Sequence, residues 1–294
     1  LDYFKVILSM LVITIHSQPL FAENSSIGWL ISNGIARIAV PCFFIISGYY
    51  IYSKIESKKA FSKYIYHLLI VYAVWSLIYL PTYVSDVDPK SLITFALMGY
   101  YHLWFLPALI IGILILRGLK KTVKHDTIIF VVAITLFIIG YVMELYDLKF
   151  RIYRNGLFFG FPFVALGYYI HKLNIVDRSK DKVLYPILIA GLLLLFIESY
   201  SGYKSTAYHN FLISLPFVCS AIFILLGKHP TVKTEKYDIS KLAASIYYVH
   251  ILVLVVLFPR GESYNIYNYP LIVVISIILS IFIILINKRV KILL

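Results

Sequence analysis

Charge is what this sequence has least of. Only 14% of its 294 residues are Asp, Glu, Lys or Arg, where soluble domains carry ~25%. With 61% hydrophobic residues and a mean hydropathy of +0.87, the chain has too little polar surface to cover a water-facing fold, so a soluble enzyme and a disordered tail are both excluded. Cysteine is nearly absent. Cys42 and Cys219 lie inside apolar runs and read as small buried hydrophobes, which leaves no disulfide scaffold and no metal site. Several motifs are also missing: a phosphate-cradling GxxxxGK[ST] loop, a GxSxG elbow, an HExxH helix and an intramembrane acidic cluster of the kind found in proton pumps. Matched helix breaks in two halves, the mark of many secondary transporters, are not visible, and neither are internal repeats. Because the surplus charge belongs to a membrane protein, the net +13 raises the question of bilayer side rather than of a nucleic-acid partner.

What is present is a series of long apolar runs. A hydrocarbon core of ~30 Å needs about 20 mainly apolar helical residues. That window gives ten spans, near 4–22, 28–53, 64–84, 102–119, 127–146, 156–172, 184–200, 208–227, 242–258 and 269–287. The expected class is all-α and polytopic, a single transmembrane domain over 1–294, with Leu92 to Met98 as a half-helix against the fourth span. The first run lacks a small-residue cleavage site and reads as a retained helix. Of the 27 basic residues, 20 fall on one side of these spans and six on the other, with Arg37 inside a span. The positive-inside bias therefore puts both termini in the cytoplasm. With only short loops left, membrane lipid is the surrounding partner and any chemistry must come from the helices.

An ionisable group inside a span costs at least ~2.5–3.5 kcal/mol on insertion scales, so each is a candidate for function. His16 lies ~18 Å above the inner end of the first span, and Arg37, entering from outside, reaches nearly the same depth. A guanidinium beside the ring would disfavour a second cation there, leaving the neutral imidazole that a general base requires. Structural pairing of the two side chains is the alternative. Lys5 precedes His16 by eleven residues and falls on almost the same helix face, either as the basic mouth of one cavity wall or as an interfacial anchor. His250 sits half-way into the ninth span beside Ala243 and Ala244, whose small side chains permit close helix approach. Glu144, Glu198 and His209 fall near outer span ends and rank lower. His102 and Trp104 open the fourth span at the outer interface, where the histidine is positioned to meet an external substrate.

These residues fall into an ordered set of blocks. Lys5 and His16 match a basic-x10-His pattern, Val40 to Tyr49 reads VPxFFxxSGY, His102 to Leu106 reads HLWFL and Ser245 to His250 reads SIYxxH. The set resembles the acyltransferase 3 membrane family. That resemblance implies ten core helices and transfer of an acyl group, usually acetyl, from cytoplasmic acyl-coenzyme A to an envelope glycan or lipid-linked sugar in a bacterial plasma membrane. His16 would be catalytic, tuned by Arg37. Lys5, Ser47, Gly48, Lys63 and His67 would serve the donor, while His102, Trp104, Arg154 and His250 would meet the acceptor side. Many members carry an Arg-x-x-Arg pair where this chain has Tyr64 and His67, so Lys63 and His67 are the available cations.

A narrower likeness runs through Asp2 to Ile7, His16 to Leu20, Tyr101 to Ala108 and Arg154 to Phe159. These segments are similar to the membrane half of the membrane-bound serine racemases of vancomycin resistance. The likeness implies a second function, an L-serine or small amino-acid permease, with a cytoplasmic racemase segment as a partner that is not part of this chain.

Overall fold

A computed structural model describes residues 1–17, 20–21, 25–84, 87–229, 239–258 and 267–294. Gln18 and Pro19 of the second likeness, and Lys233, Lys236 and Arg260 of the charge count, lie outside the described residues. The described residues form helices joined by turns and short loops, without a strand. In order they form α1 (Asp2–His16), α2 (Ser26–Asn33), α3 (Ala39–Ile55), α4 (Lys58–Tyr79), α5 (Pro89–Met98), α6 (Phe105–Thr122), α7 (Asp126–Leu145), α8 (Phe150–Tyr153), α9 (Phe161–Lys172), α10 (Ile175–Arg178), α11 (Asp181–Ser205), α12 (Leu215–Lys228), α13 (Ile239–Leu257) and α14 (Asn268–Val290). Among the described residues, seven segments are long and apolar enough to cross a membrane.

Each of the ten expected spans corresponds to a helical segment, but three fall short of full length. At 1.5 Å per residue, the 15 residues of α1, 12 of α9 and 14 of α12 reach only about 18–22 Å of the ~30 Å core. A π-helical turn, Gly156–Gly160, extends α9 at its N-terminal end. The second span is not continuous. It breaks after α2 at Gly34 and passes through a 3-10 turn, Ile35–Ile38, before α3 begins. A Cβ on Gly34 would lie 2.5 Å from the Leu30 carbonyl and 3.1 Å from Ser199 Oγ, so the chain can turn there only without a side chain. The half-helix expected at 92–98 is α5, which packs against α6 and is capped by Asp88 with Pro89 at its first position.

The chain divides into two compact units. One comprises Leu1–Val40, Leu193–His209 and His229–Leu294; the other comprises Pro41–Leu192 and Asn210–Lys228. Within the first, α1 packs along α13, which packs in turn on α14. Polar pins set the register. Ser9 donates to the Ala243 carbonyl at 2.7 Å, Lys5 to Ser240 Oγ at 3.0 Å, and Tyr269 to the Met10 carbonyl at 3.1 Å.

Within the second unit, α6, α9, the π-turn and α7 form the core. Antiparallel α3 and α9 touch backbone to backbone. A Cβ on Gly48 would meet the Val164 carbonyl oxygen at 2.1 Å, and one on Gly167 would meet the Ile45 carbonyl oxygen at 2.0 Å. Cys42 and Cys219 are free thiols, buried and hydrogen-bonded to each other within this unit.

Candidate functional site

The first unit brings two of the sequence candidates together. His16 ends α1 and is half-buried, whereas His250 is fully buried in α13. Their ring centres lie 5.4 Å apart with the planes tilted by 40°. His250 Nδ1 is 2.7 Å from the Tyr247 carbonyl oxygen and 3.3 Å from that of Ile246. A carbonyl oxygen only accepts, so Nδ1 carries the proton and the neutral ring presents its lone pair at Nε2. Arg37, carried on the Ile35–Ile38 turn that packs against α1, donates from Nη2 to Asn33 Oδ1 at 2.8 Å. Lys5 lies on the same face as His16, three turns earlier, and its ammonium bridges Asp2 Oδ1 and Ser240 Oγ at 3.0 Å each. It therefore ties α1 to α13 as well as placing charge at the start of α1.

Glu198 and His209 also belong to the first unit, and the second unit holds the other candidates in two groups. At the junction of α3 and α4, Ser47 is hydrogen-bonded to the Tyr64 hydroxyl, and Lys54 Nζ lies 4.8 Å from the Tyr64 ring centre. His67 feels the Lys54 charge, yet both Lys63 and His67 are exposed on α4. The cation that reaches Tyr64 is thus Lys54. Gly48 is corrected from a donor contact to a packing residue, because the face left open by its missing side chain is filled by Val164. Just beyond α3, Glu56 pairs with Lys120, whose ammonium holds that carboxyl below the usual range.

The second group gathers around Arg154. Its guanidinium lies 4.9 Å from the Trp104 ring centre and 4.8 Å from that of Phe150, and its Nη1 donates to Asn210 Oδ1 at 3.0 Å. Trp104 and Arg154 therefore lie against each other. His102 does not join them. It is only 1% exposed and faces the edge of Tyr79 at 5.1 Å, since the 3-10 turn Tyr101–Trp104 points it inward. Glu144, ranked low from sequence, organises this end: its carboxylate accepts from Asn210 N at 2.7 Å, Asn210 Nδ2 at 3.0 Å and Phe211 N at 2.8 Å. Tyr153 bonds the same carboxylate, and burial together with the Glu144 charge pushes its hydroxyl up to about 12. Asn210 and Phe150 were missed by sequence reasoning, and Lys54 stood out there only as one of four lysines between the second and third spans. Each is an unremarkable residue type whose role depends on a distant partner. Among the described residues no group of three His, Cys, Asp or Glu side chains is placed to hold a metal.

Chemically, the two sets differ. The His16 pair offers a proton acceptor on a ring that is accessible and backed by a second, buried ring. The Arg154 and Lys54 groups offer cations framed by aromatic faces, suited to anionic or hydroxyl-rich ligands rather than to bond making.

The acyltransferase 3 family profile, an acyltransferase domain, matches residues 1–286. A serine/alanine racemase of Enterococcus gallinarum is 30% identical over 282 residues, covering 85% of this chain and 40% of that protein. An amino-acid racemase of Enterococcus faecalis is 32% identical over 209 residues, covering 62% and 29% respectively. Another from the same organism is 25% identical over 320 residues, covering 95% and 45%. The chain thus spans less than half the length of these relatives. No solved structure matches it.

Proposed function

This chain belongs to the acyltransferase 3 family of multi-pass membrane proteins, and on that premise we propose that it moves an acetyl-like group from cytoplasmic acyl-coenzyme A to a hydroxyl of an envelope glycan or lipid-linked sugar. The observation that carries the reading is His16, a half-buried imidazole within ring contact of the buried His250. A sugar hydroxyl is too weak an acid to attack a thioester unaided. In the proposed step His16 takes the hydroxyl proton as the oxygen adds to the thioester carbonyl. The C–S bond then breaks and the imidazolium returns the proton to the departing thiolate, giving an ester and free coenzyme A. Lys54, with Tyr64 and Ser47, supplies the charge for the donor's phosphates in place of the absent arginine pair. Trp104 and Arg154 form the acceptor side. In bacterial membrane vesicles carrying the protein, radiolabel from acetyl-coenzyme A is expected in the envelope carbohydrate fraction; label no greater than in vesicles lacking it would reject this function.

A second reading is favoured by the relatives, which are a serine/alanine racemase and amino-acid racemases. On that reading the chain is a membrane carrier for serine or alanine that would serve a cytoplasmic racemase segment. It predicts saturable uptake of labelled serine into vesicles without any requirement for coenzyme A, and an absence of uptake would remove it.

A further inference from the structure

We infer that the acceptor side is an anion subsite: the guanidinium groups of Arg151 and Arg154 take a phosphate, so the acceptor is a phosphate-bearing glycan or lipid-linked sugar and not a neutral one. The inference rests on the acyl-transfer reading above and names the chemistry of its acceptor. The first support is where these cations fall. By the charge count, one side of the spans carries 20 basic residues and the other only six, and three of those six, Lys149, Arg151 and Arg154, lie within six consecutive positions. A chain that keeps cations off this side has gathered half of its exceptions on the short helix α8 and its flanks.

The second support is the geometry around Phe150. Its ring centre lies 4.8 Å from the Arg154 guanidinium and 5.7 Å from that of Arg151, so two like charges share one ring. Each also covers a second ring at 4.9 Å, Trp104 for Arg154 and Phe95 for Arg151. Contact with an aromatic ring uses none of the five N–H donors of a guanidinium. Arg154 commits Nη1 to Asn210 Oδ1, and that amide bridges it to the Glu144 carboxylate, which the N–H groups of Asn210 and Phe211 already meet. Arg151 is exposed and makes no ion pair with a carboxylate among the described residues. Two neighbouring guanidiniums repel each other, and an anion held between them turns that cost into attraction. Phosphate suits them best, because it accepts from the N–H fork of arginine through two oxygens at once. The sugar has a place beside it. Phe95 stands 5.2 Å from the Tyr100 ring, which is 5.3 Å from that of Tyr101, and rings of this kind pack against the C–H faces of a carbohydrate.

The test is binding by the purified full chain in nanodiscs of phosphatidylcholine, followed by calorimetry with glucose 1-phosphate, glucose and short-chain phosphatidylglycerol as probes. Glucose 1-phosphate is expected to bind and glucose to bind at least tenfold more weakly, with the difference shrinking as salt is raised. Arg151→Gln and Arg154→Gln should each weaken the phosphate probe about tenfold, and Arg151→Lys less than Arg151→Gln. Lys54→Ala, at the donor end, should leave it unchanged. Arg151 is exposed, so its variants keep the test even if Arg154→Gln fails to fold. Equal binding of the sugar and its phosphate, wild-type affinity in Arg151→Gln, or loss only in Lys54→Ala would each overturn the inference. Binding of phosphatidylglycerol without glucose 1-phosphate would assign the arginines to membrane lipid and overturn their role toward the acceptor. No acyl transfer is needed for these readings. Vesicles that fail to acetylate carbohydrate would reject the function while leaving the phosphate site standing, whereas a site indifferent to phosphate would reject the inference and leave the function.

Discussion

Adding one methyl group to either glycine of the α3–α9 contact should destabilise the fold, and the structure supplies the sign. In an unconstrained helix, Gly→Ala stabilises by ~1 kcal/mol through propensity alone. At Gly48 the new Cβ would lie 2.1 Å from the Val164 oxygen, 2.8 Å from its carbonyl carbon and 2.9 Å from its Cα; at Gly167 it would meet Ile45 O at 2.0 Å and Tyr49 N at 2.8 Å. All are backbone atoms, so no rotamer change relieves the overlap and the helices must separate. Overpacking of this kind costs ~1–3 kcal/mol, and occasionally more. After the propensity gain, each single substitution should still be net destabilising, by up to about 2 kcal/mol, with backbone overlaps this close at the upper end. Because both overlaps are relieved by the same separation, Gly48→Ala with Gly167→Ala should cost less than the sum, with a coupling of at least ~0.5 kcal/mol. Thermal unfolding of the detergent-purified protein, run as a double-mutant cycle, measures both quantities. Stabilised single variants, or strictly additive losses, would refute the reasoning.

Other outcomes follow from the same geometry. Glu144→Gln removes a charged acceptor from two backbone N–H groups, each worth ~1.5–3 kcal/mol, and should lower the melting temperature in detergent below that of the wild type; an unchanged melting temperature would contradict the anchoring role. If Lys54 holds the donor's phosphates, Lys54→Ala should raise the KM for acetyl-coenzyme A about tenfold, or ~1.4 kcal/mol, with a much smaller effect from the exposed Lys63→Ala; the reverse order would move the site to Lys63. Asp88 caps α5, and hydrogen bonds from the Ser91 hydroxyl and from the N–H groups of Ser91 and Lys90 hold its carboxyl below the ordinary aspartate range. A depressed value means that the cap's contribution is complete above the unfolded range near pH ~4 and is lost as pH falls through the lowered folded value. Hydrogen exchange in residues 89–98 should therefore accelerate below that range in the wild type, while Asp88→Ala should exchange fast even at neutral pH; matching profiles would contradict the cap.

Much of the architecture was readable because lipid enforces it. A run of apolar residues long enough to span has few alternatives to a helix, and each expected run falls on helical structure, the second broken into α2 and α3. What failed to show were features that depend on a neighbour. The break at Gly34 is invisible in the apolar run 28–53, because a glycine in a span marks a close approach only once Ser199 is known to stand beside it. Gly48 looked like a substrate contact for the same reason. His16 and His250 could be singled out by the cost of burying an imidazole, but their pairing depends on the Ser9 to Ala243 register, which no single helix displays. His102 shows the opposite error: its place at a span end suggested exposure, and the 3-10 turn buried it against Tyr79.

The central claim is that His16 accepts the hydroxyl proton during acyl transfer. Its most direct test is single-turnover release of free coenzyme A from acetyl-coenzyme A by membrane vesicles bearing wild-type or His16→Ala protein, with bound donor measured in parallel. The account predicts unchanged donor binding and a release rate lower by ~10²–10⁴ in the variant. Wild-type release rates from His16→Ala protein would contradict it.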